Sequence, residues 1–193
     1  MMTSRAEYRL ILRQDNADLR LTKIGYKQGL ISEERYNKLL EKERLIAEEM
    51  DRLINTSLGA NKEVQAFLEK NNSTTLKKAS SLAELIKRPE LSYDLVAELD
   101  ADRKPLDIDV IEQVEINLKY DGYISRQLKQ VEQYKKLEKK LIPADIDYDD
   151  VGSLRTEARQ KLKEIKPVSI GQASRISGVS PADISVLLIY LKK

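Results

Sequence analysis

Between positions 33 and 55 the apolar residues Tyr36, Leu39, Leu40, Ile46, Met50 and Leu53 recur at three- and four-residue steps. That period returns side chains to one face of an α-helix, whereas a half-buried strand needs strict alternation. The segment therefore predicts a long amphipathic helix, with Glu41, Lys42, Glu43 and Arg44 on its other faces. Ser32 stands just before it as an N-cap, a side chain that accepts from a backbone N–H the helix leaves unpaired.

The same signals recur along the chain. Ser4-Arg5-Ala6-Glu7 has the spacing of a capping box and predicts a first helix that ends near Asp15, Asn16 and Asp18. A short helical turn fits 19–29, with Gly25 and Gly29 as terminators. Val64, Phe67 and Leu68 predict a buried face for a helix over 61–70. Ser81 opens a helix that Pro89 must stop, because proline clashes with the preceding turn. Ser92 caps another. Asp109-Val110-Ile111-Glu112 resembles a capping box and starts the longest stretch, to about 141, with Gly122 as a possible kink point. Ser153 starts a helix closed by Pro167, and Ser169 starts one ending at Gly178. Ser180-Pro181-Ala182-Asp183 supplies cap, N1 proline and N3 acid together.

These readings make the chain all-α, a multi-helix array with a small C-terminal helical bundle and no substantial β-sheet. The expected division is a helical layer over 1–108 and a long helix plus bundle over 109–193. The composition agrees: 41% hydrophobic residues supply a core, and 34% charged residues, nearly balanced at +2, clothe long polar helix faces.

Much chemistry is excluded by residue type. The chain has no cysteine, so it forms no disulfide, thiolate nucleophile or zinc–thiolate site. It has no histidine, the commonest general base and transition-metal ligand. No two glycines stand in G-x-G spacing and no G-K-[ST] triplet occurs, so neither a dinucleotide turn nor a P-loop is available. No apolar run approaches the ~18 residues of a membrane span, and the first residues lack the apolar core of a signal peptide. The expectation is a cytoplasmic binding module, or a piece of one, with no catalytic residues, no metal and no cofactor of its own. Acid pairs such as Asp149 and Asp150 read as solvated loops.

Three features suit binding. Arg5, Arg9 and Arg13 are four apart and on a helix would form a row down one face, followed by Arg20, Lys23 and Lys27. Guanidinium forks match phosphate oxygens bidentately, so the row suits an RNA backbone; the alternative is an ordinary solvated face. A second basic stretch, Lys119, Arg126, Lys129, Lys135, Lys136, Lys139 and Lys140, is interleaved with Tyr120, Tyr123 and Tyr134. Tyrosines there stack on unpaired bases or fill a helix interface. The third feature, 170–190, looks like a helix-turn-helix. Its second helix offers few polar side chains to base edges, which favours burial or protein docking over DNA reading.

Three stretches together resemble one family. They are Thr3-Ser4-Arg5-Ala6-Glu7-Tyr8-Arg9-Leu10 leading into Arg13-Gln14-Asp15-Asn16-Ala17-Asp18-Leu19-Arg20-Leu21-Thr22, then Lys119-Tyr120-Asp121-Gly122-Tyr123-Ile124, then Ile-Gly-Gln-Ala-Ser-Arg-Ile-Ser-Gly-Val-Ser-Pro-Ala-Asp-Ile-Ser over 170–185. In order and approximate spacing they are similar to the C-terminal region of the MnmG (GidA) family, flavoproteins that modify the wobble uridine of certain bacterial tRNAs. The resemblance implies a fragment, with FAD and a reduced nicotinamide used by the full-length enzyme outside it. It also implies a GTPase partner, MnmE, a folate-borne carbon, and a homodimer for the full-length protein. On the matching positions, Arg5, Arg13 and Arg20, with Arg9 beside them, become the tRNA-binding candidates. Arg175, Ile184, Leu187, Leu188 and Leu191, within the matching terminal helices, become the candidates for docking the GTPase. Gln14 departs from the acid expected between Arg13 and Asp15. The competing readings are a protein-interaction scaffold without RNA contact and a helix-turn-helix DNA-binding module.

Overall fold

The computed structural model describes residues 8–192. Two compact units, Met1–Ser125 and Arg126–Lys193, divide the chain. The boundary expected near residue 108 coincides with the start of the longest helix, which begins in the first unit and ends in the second.

The N-terminal unit contains α1 (Ala17–Lys27), α2 (Glu33–Asn55), α3 (Lys62–Lys70), α4 (Leu82–Ile86), α5 (Tyr93–Val96) and the first part of α6 (Ile108–Lys139). Its β structure is a pair of dipeptides, β1 (Ser57–Leu58) and β2 (Ser80–Ser81), antiparallel with Ser57 opposite Ser81. Three of the expected caps form, at Ser32, Ser81 and Ser92, and Asn61 adds a fourth. Ser32, Asn61, Ser81 and Ser92 each accept from the backbone N–H three residues on. The apolar stripes then meet. Leu53 of α2, Leu68 of α3, Leu82 and Leu85 of α4, Val96 of α5 and Val114 of α6 are at most 1% exposed and share one core. Each such leucine contributes about 1.5–3 kcal/mol by leaving water.

The C-terminal unit contains the end of α6, then α7 (Thr156–Ile165), α8 (Ile170–Ser174) and α9 (Pro181–Tyr190). Leu141 and Ser169 form a single antiparallel bridge. Leu154, Leu162, Ile170, Ala173, Ile184 and Leu187 build its core with Ile142, Tyr148 and Val151. The capping box at Ser180 and Asp183 forms in full.

Several local expectations are corrected. The Ser4 capping box lies outside the described residues, but from Tyr8 to Leu12 the chain is turns rather than helix, with the amides of Ile11 and Leu12 both bonded to the Tyr8 carbonyl. Gly25 does not terminate α1; Gly29, at φ 73°, follows its end in the left-handed region. Ser153 does not start a helix. It has φ 67°, and α7 begins at Thr156 after Arg155. α6 starts at Ile108, where the Val110 and Ile111 amides bond the Asp107 carbonyl, and it stays helical through Gly122. α8 ends at Ser174, four residues before Gly178.

Candidate functional site

The arginine segment is built from turns, so the row expected on a helix face does not form among the described residues. Arg5 lies outside them. Arg9 is exposed. Arg13 turns inward, with its side chain only 16% exposed. Its Nε donates to both Asp15 carboxylate oxygens at 3.0 and 3.1 Å, Nη1 to the Leu10 carbonyl at 2.5 Å and Nη2 to Gln113 Oε1 at 3.3 Å. Gln113, on α6 and 2% exposed, donates its Nε2 to Asp15 Oδ2 at 2.7 Å and to the Asp15 carbonyl at 3.2 Å. Burial pushes the Asp15 carboxyl up, but the bonds from Gln113 and Arg13 outweigh it and hold the group below its ordinary value.

Arg20 completes this arrangement. Its Nε donates to Asn16 Oδ1 at 2.9 Å and its Nη2 to the Arg13 carbonyl at 3.2 Å. Asn16 Nδ2 in turn donates to the Ile11 carbonyl at 3.0 Å. Three side chains thus satisfy the carbonyls of Leu10, Ile11 and Arg13, which a turn leaves without helical partners. Arg13 and Arg20 shape the turn, and Arg9 faces water on it.

The second basic stretch follows α6. In the N-terminal unit Lys119 pairs with Glu115 at 2.8 Å, while Tyr120 and Tyr123 are exposed. In the C-terminal unit Arg126, Lys129, Lys135, Lys136 and Lys139 are exposed, as is Tyr134.

The docking candidates separate into two groups. Ile184 and Leu187 are 6% and 0% exposed and belong to the core, so they hold α9 in place rather than touch a partner. The local period marks them as apolar but cannot say whether that face is turned inward. Leu188 and Leu191 are partly buried against the same core. Arg175 is exposed and ion-paired with Glu138. Ile189, overlooked in the sequence, is 65% exposed on α9. Asp183 is 2% exposed. The Arg155 guanidinium, then Ser180, hold its carboxyl well below the usual range although burial opposes them.

A cleft of about 640 Å³ also opens in this unit, lined by Ile142, Pro143, Ile146, Tyr148, Lys163 and Pro167 among others. The Tyr148 hydroxyl is buried with no hydrogen-bond partner among the described residues, and burial pushes the phenol up. No sequence motif marks this cleft, because its walls come from loops on either side of α7. Among the described residues there is no cluster of metal-ligating side chains and no helix long and apolar enough to cross a membrane.

Two family models match the chain in succession. The tRNA modifying enzyme MnmG/GidA C-terminal helical domain matches residues 33–128, and the MnmG/GidA C-terminal helical bundle matches 130–193. The tRNA uridine 5-carboxymethylaminomethyl modification enzyme MnmG of Lachnoclostridium phytofermentans is 68% identical over 193 residues, all of this chain and 31% of the relative. The MnmG of Caldicellulosiruptor saccharolyticus is 58% identical over the same span, again 31% of its length. The structure of Aquifex aeolicus GidA in its form II crystal aligns with a TM-score of 0.68 at 42% identity, covering 98% of this chain and 29% of that one. The chain thus spans about a third of the length of the relatives it matches.

Proposed function

Because the chain belongs to the C-terminal helical region of the MnmG/GidA family of tRNA-modifying enzymes, we propose that it holds tRNA and a partner protein in place while the wobble uridine is modified. The match of both C-terminal helical models, in order, over 33–193 carries this reading. Arg9, with Arg5, is the direct phosphate contact. Arg13 and Arg20 act mainly by fixing the turn that presents it. The GTPase partner, MnmE, docks on the terminal helices, where Arg175, Ile189, Leu188 and Leu191 face outward or partly outward and Ile184 and Leu187 support them from beneath.

The chemistry belongs to the rest of the enzyme. FAD is expected in the full-length protein, but this chain does not fit it. A flavin dinucleotide rests its pyrophosphate on a glycine-rich turn between a strand and a helix. The seven glycines here are never two apart, and the strands among the described residues are dipeptides.

Filter binding of the 193-residue chain to tRNA across a salt series tests the first half of the reading. Affinity falls with salt, and Arg9→Ala lowers it and flattens the salt slope by about one phosphate contact. Identical curves for the two proteins would remove Arg9 from the site. For the second half, Ile189→Glu weakens co-elution with the GTPase while leaving tRNA binding intact. Loss of tRNA binding with full GTPase binding would reverse the assignment of the two surfaces.

A further inference from the structure

α1 differs from every other α-helix among the described residues in that it buries no residue. Leu21 and Ile24, three apart and so on one face, are 53% and 60% exposed, and Leu12 before the helix and Leu30 after it are 46% and 80% exposed. Scattered apolar residues on a surface need no explanation, but two on one face of a short helix with two more flanking it do. α1 is held to its own unit by Leu19, partly buried against the core, and by polar and aromatic contacts. Lys23 pairs with Glu43 at 2.6 Å, Asp18 with Lys42 at 2.8 Å, and the Tyr26 and Tyr36 rings stack at 4.1 Å. Those contacts fix the helix while leaving Leu21 and Ile24 in water.

The same segment stands apart in the comparisons. Relatives match this chain over all 193 residues, yet the family's C-terminal helical domain begins only at residue 33. Residues 8–32 therefore precede the stretch matched by the helical-domain family, although the relatives share them. About two-thirds of the relative's length falls outside this chain's span.

We propose that the apolar face of α1, with Leu12 and Leu30, docks on the part of the enzyme that the relatives carry outside this span. The matching surface is apolar, because Leu21 and Ile24 stand exposed on one face of the helix. The inference rests on family membership and is independent of the tRNA reading.

Hydroxyl-radical footprinting reads side-chain exposure directly. The 193-residue chain is compared with a full-length chimera in which it replaces the matching part of the Lachnoclostridium phytofermentans enzyme. Leu21 and Ile24 are modified roughly fivefold less in the chimera, since the core of an interface excludes water, while Ile54, also exposed in this unit, serves as the internal reference. Equal modification of Leu21 and Ile24 in both proteins overturns the proposal. So does protection in the short chain that grows with its concentration, which would assign the face to a second copy, or protection there on adding tRNA. A second measurement does not depend on the chimera. Lysine at the two aligned positions lowers the melting temperature of the natural full-length relative, whereas Leu21→Lys with Ile24→Lys leaves that of the 193-residue chain in place. Unchanged melting in the full-length relative also overturns the proposal.

Discussion

The two units solve the same problem, closing short amphipathic helices over a leucine-rich core, with their polar groups in different places. In the N-terminal unit charge is built into the packing itself. Arg52 of α2 donates to Glu49 at 2.7 and 2.8 Å and to Asp100 at 2.6 and 2.9 Å, and the Tyr93 hydroxyl donates to Glu49 at 2.7 Å. The two carboxylate side chains are 4% and 5% exposed. Bonds to Glu49, then Asp100, push the Arg52 guanidinium above its ordinary value, while burial and then Glu49 push the Tyr93 phenol up to about 12. In the C-terminal unit the buried charge, Asp183, sits at a helix end, where Arg155 and Ser180 meet it. Polar atoms buried without a hydrogen-bond partner among the described residues, Gln127 Oε1, Tyr148 OH and Arg159 Nε, all fall in this second unit. Arg159 Nε still lies 3.9 Å from Asp149, an ion pair too long to count as a hydrogen bond. The buried charges of the first unit thus lie between packed elements, and that of the second lies at a helix start.

The sharpest way to break this comparison is Arg52→Leu. Two buried carboxylates would lose their shared cation, and denaturant unfolding should show the N-terminal unit destabilised by about 3–5 kcal/mol. A loss below ~1 kcal/mol, the size of a surface pair, would mean the network is solvated and the contrast false. Leu187→Ala comes next. It opens a cavity in the other core, and the C-terminal unit should lose about 3 kcal/mol, read by the same denaturant series. Ser180→Ala removes a cap and should cost the same unit about 1 kcal/mol. The effect of Asp183 depends on pH. Its folded carboxyl titrates below the unfolded one, so its contribution is complete above ~pH 4 and disappears as pH falls further. An Asp183→Asn protein should therefore lose its deficit relative to wild type in acid; a deficit that persists there would assign the effect to packing. Smallest is Lys38→Ala, which breaks an exposed pair with Glu34 at 2.7 Å and should leave a thermal melt almost unchanged, since solvent screens such a pair. A clear drop in melting temperature there would show that exposed charges also matter to the first unit.

What was legible in the sequence follows from how far apart the interacting residues lie. Ser32, Ser81, Ser92, Ser169 and Ser180 each cap by bonding an amide three residues away, and each was visible as a local pattern. Arg13 was visible as a cation but not as a brace, because its partner Gln113 is 100 residues distant. Asp100 likewise meets Arg52 across 48 residues. Ser153 misled for a different reason. It has the residue type of a cap but lies in the left-handed region, and the helix waits for Thr156. The spacing of Arg5, Arg9 and Arg13 suggested a helical row, yet the carbonyls of Leu10, Ile11 and Arg13 are taken up by Arg13, Asn16 and Arg20. Side chains there compete for the backbone groups that a helix would have used.

Gly171 carries one more consequence. A β-carbon at this position would come within 2.5 Å of the Glu138 carboxyl group. That carboxyl is the far end of a flexible side chain, so alanine would move it rather than unfold α8. The carboxylate it would displace is the one that pairs with Arg175 and holds its own titration low through that pair. One methyl group would therefore work as a dial on surface charge, loosening a guanidinium from its counter-ion without altering any charged residue.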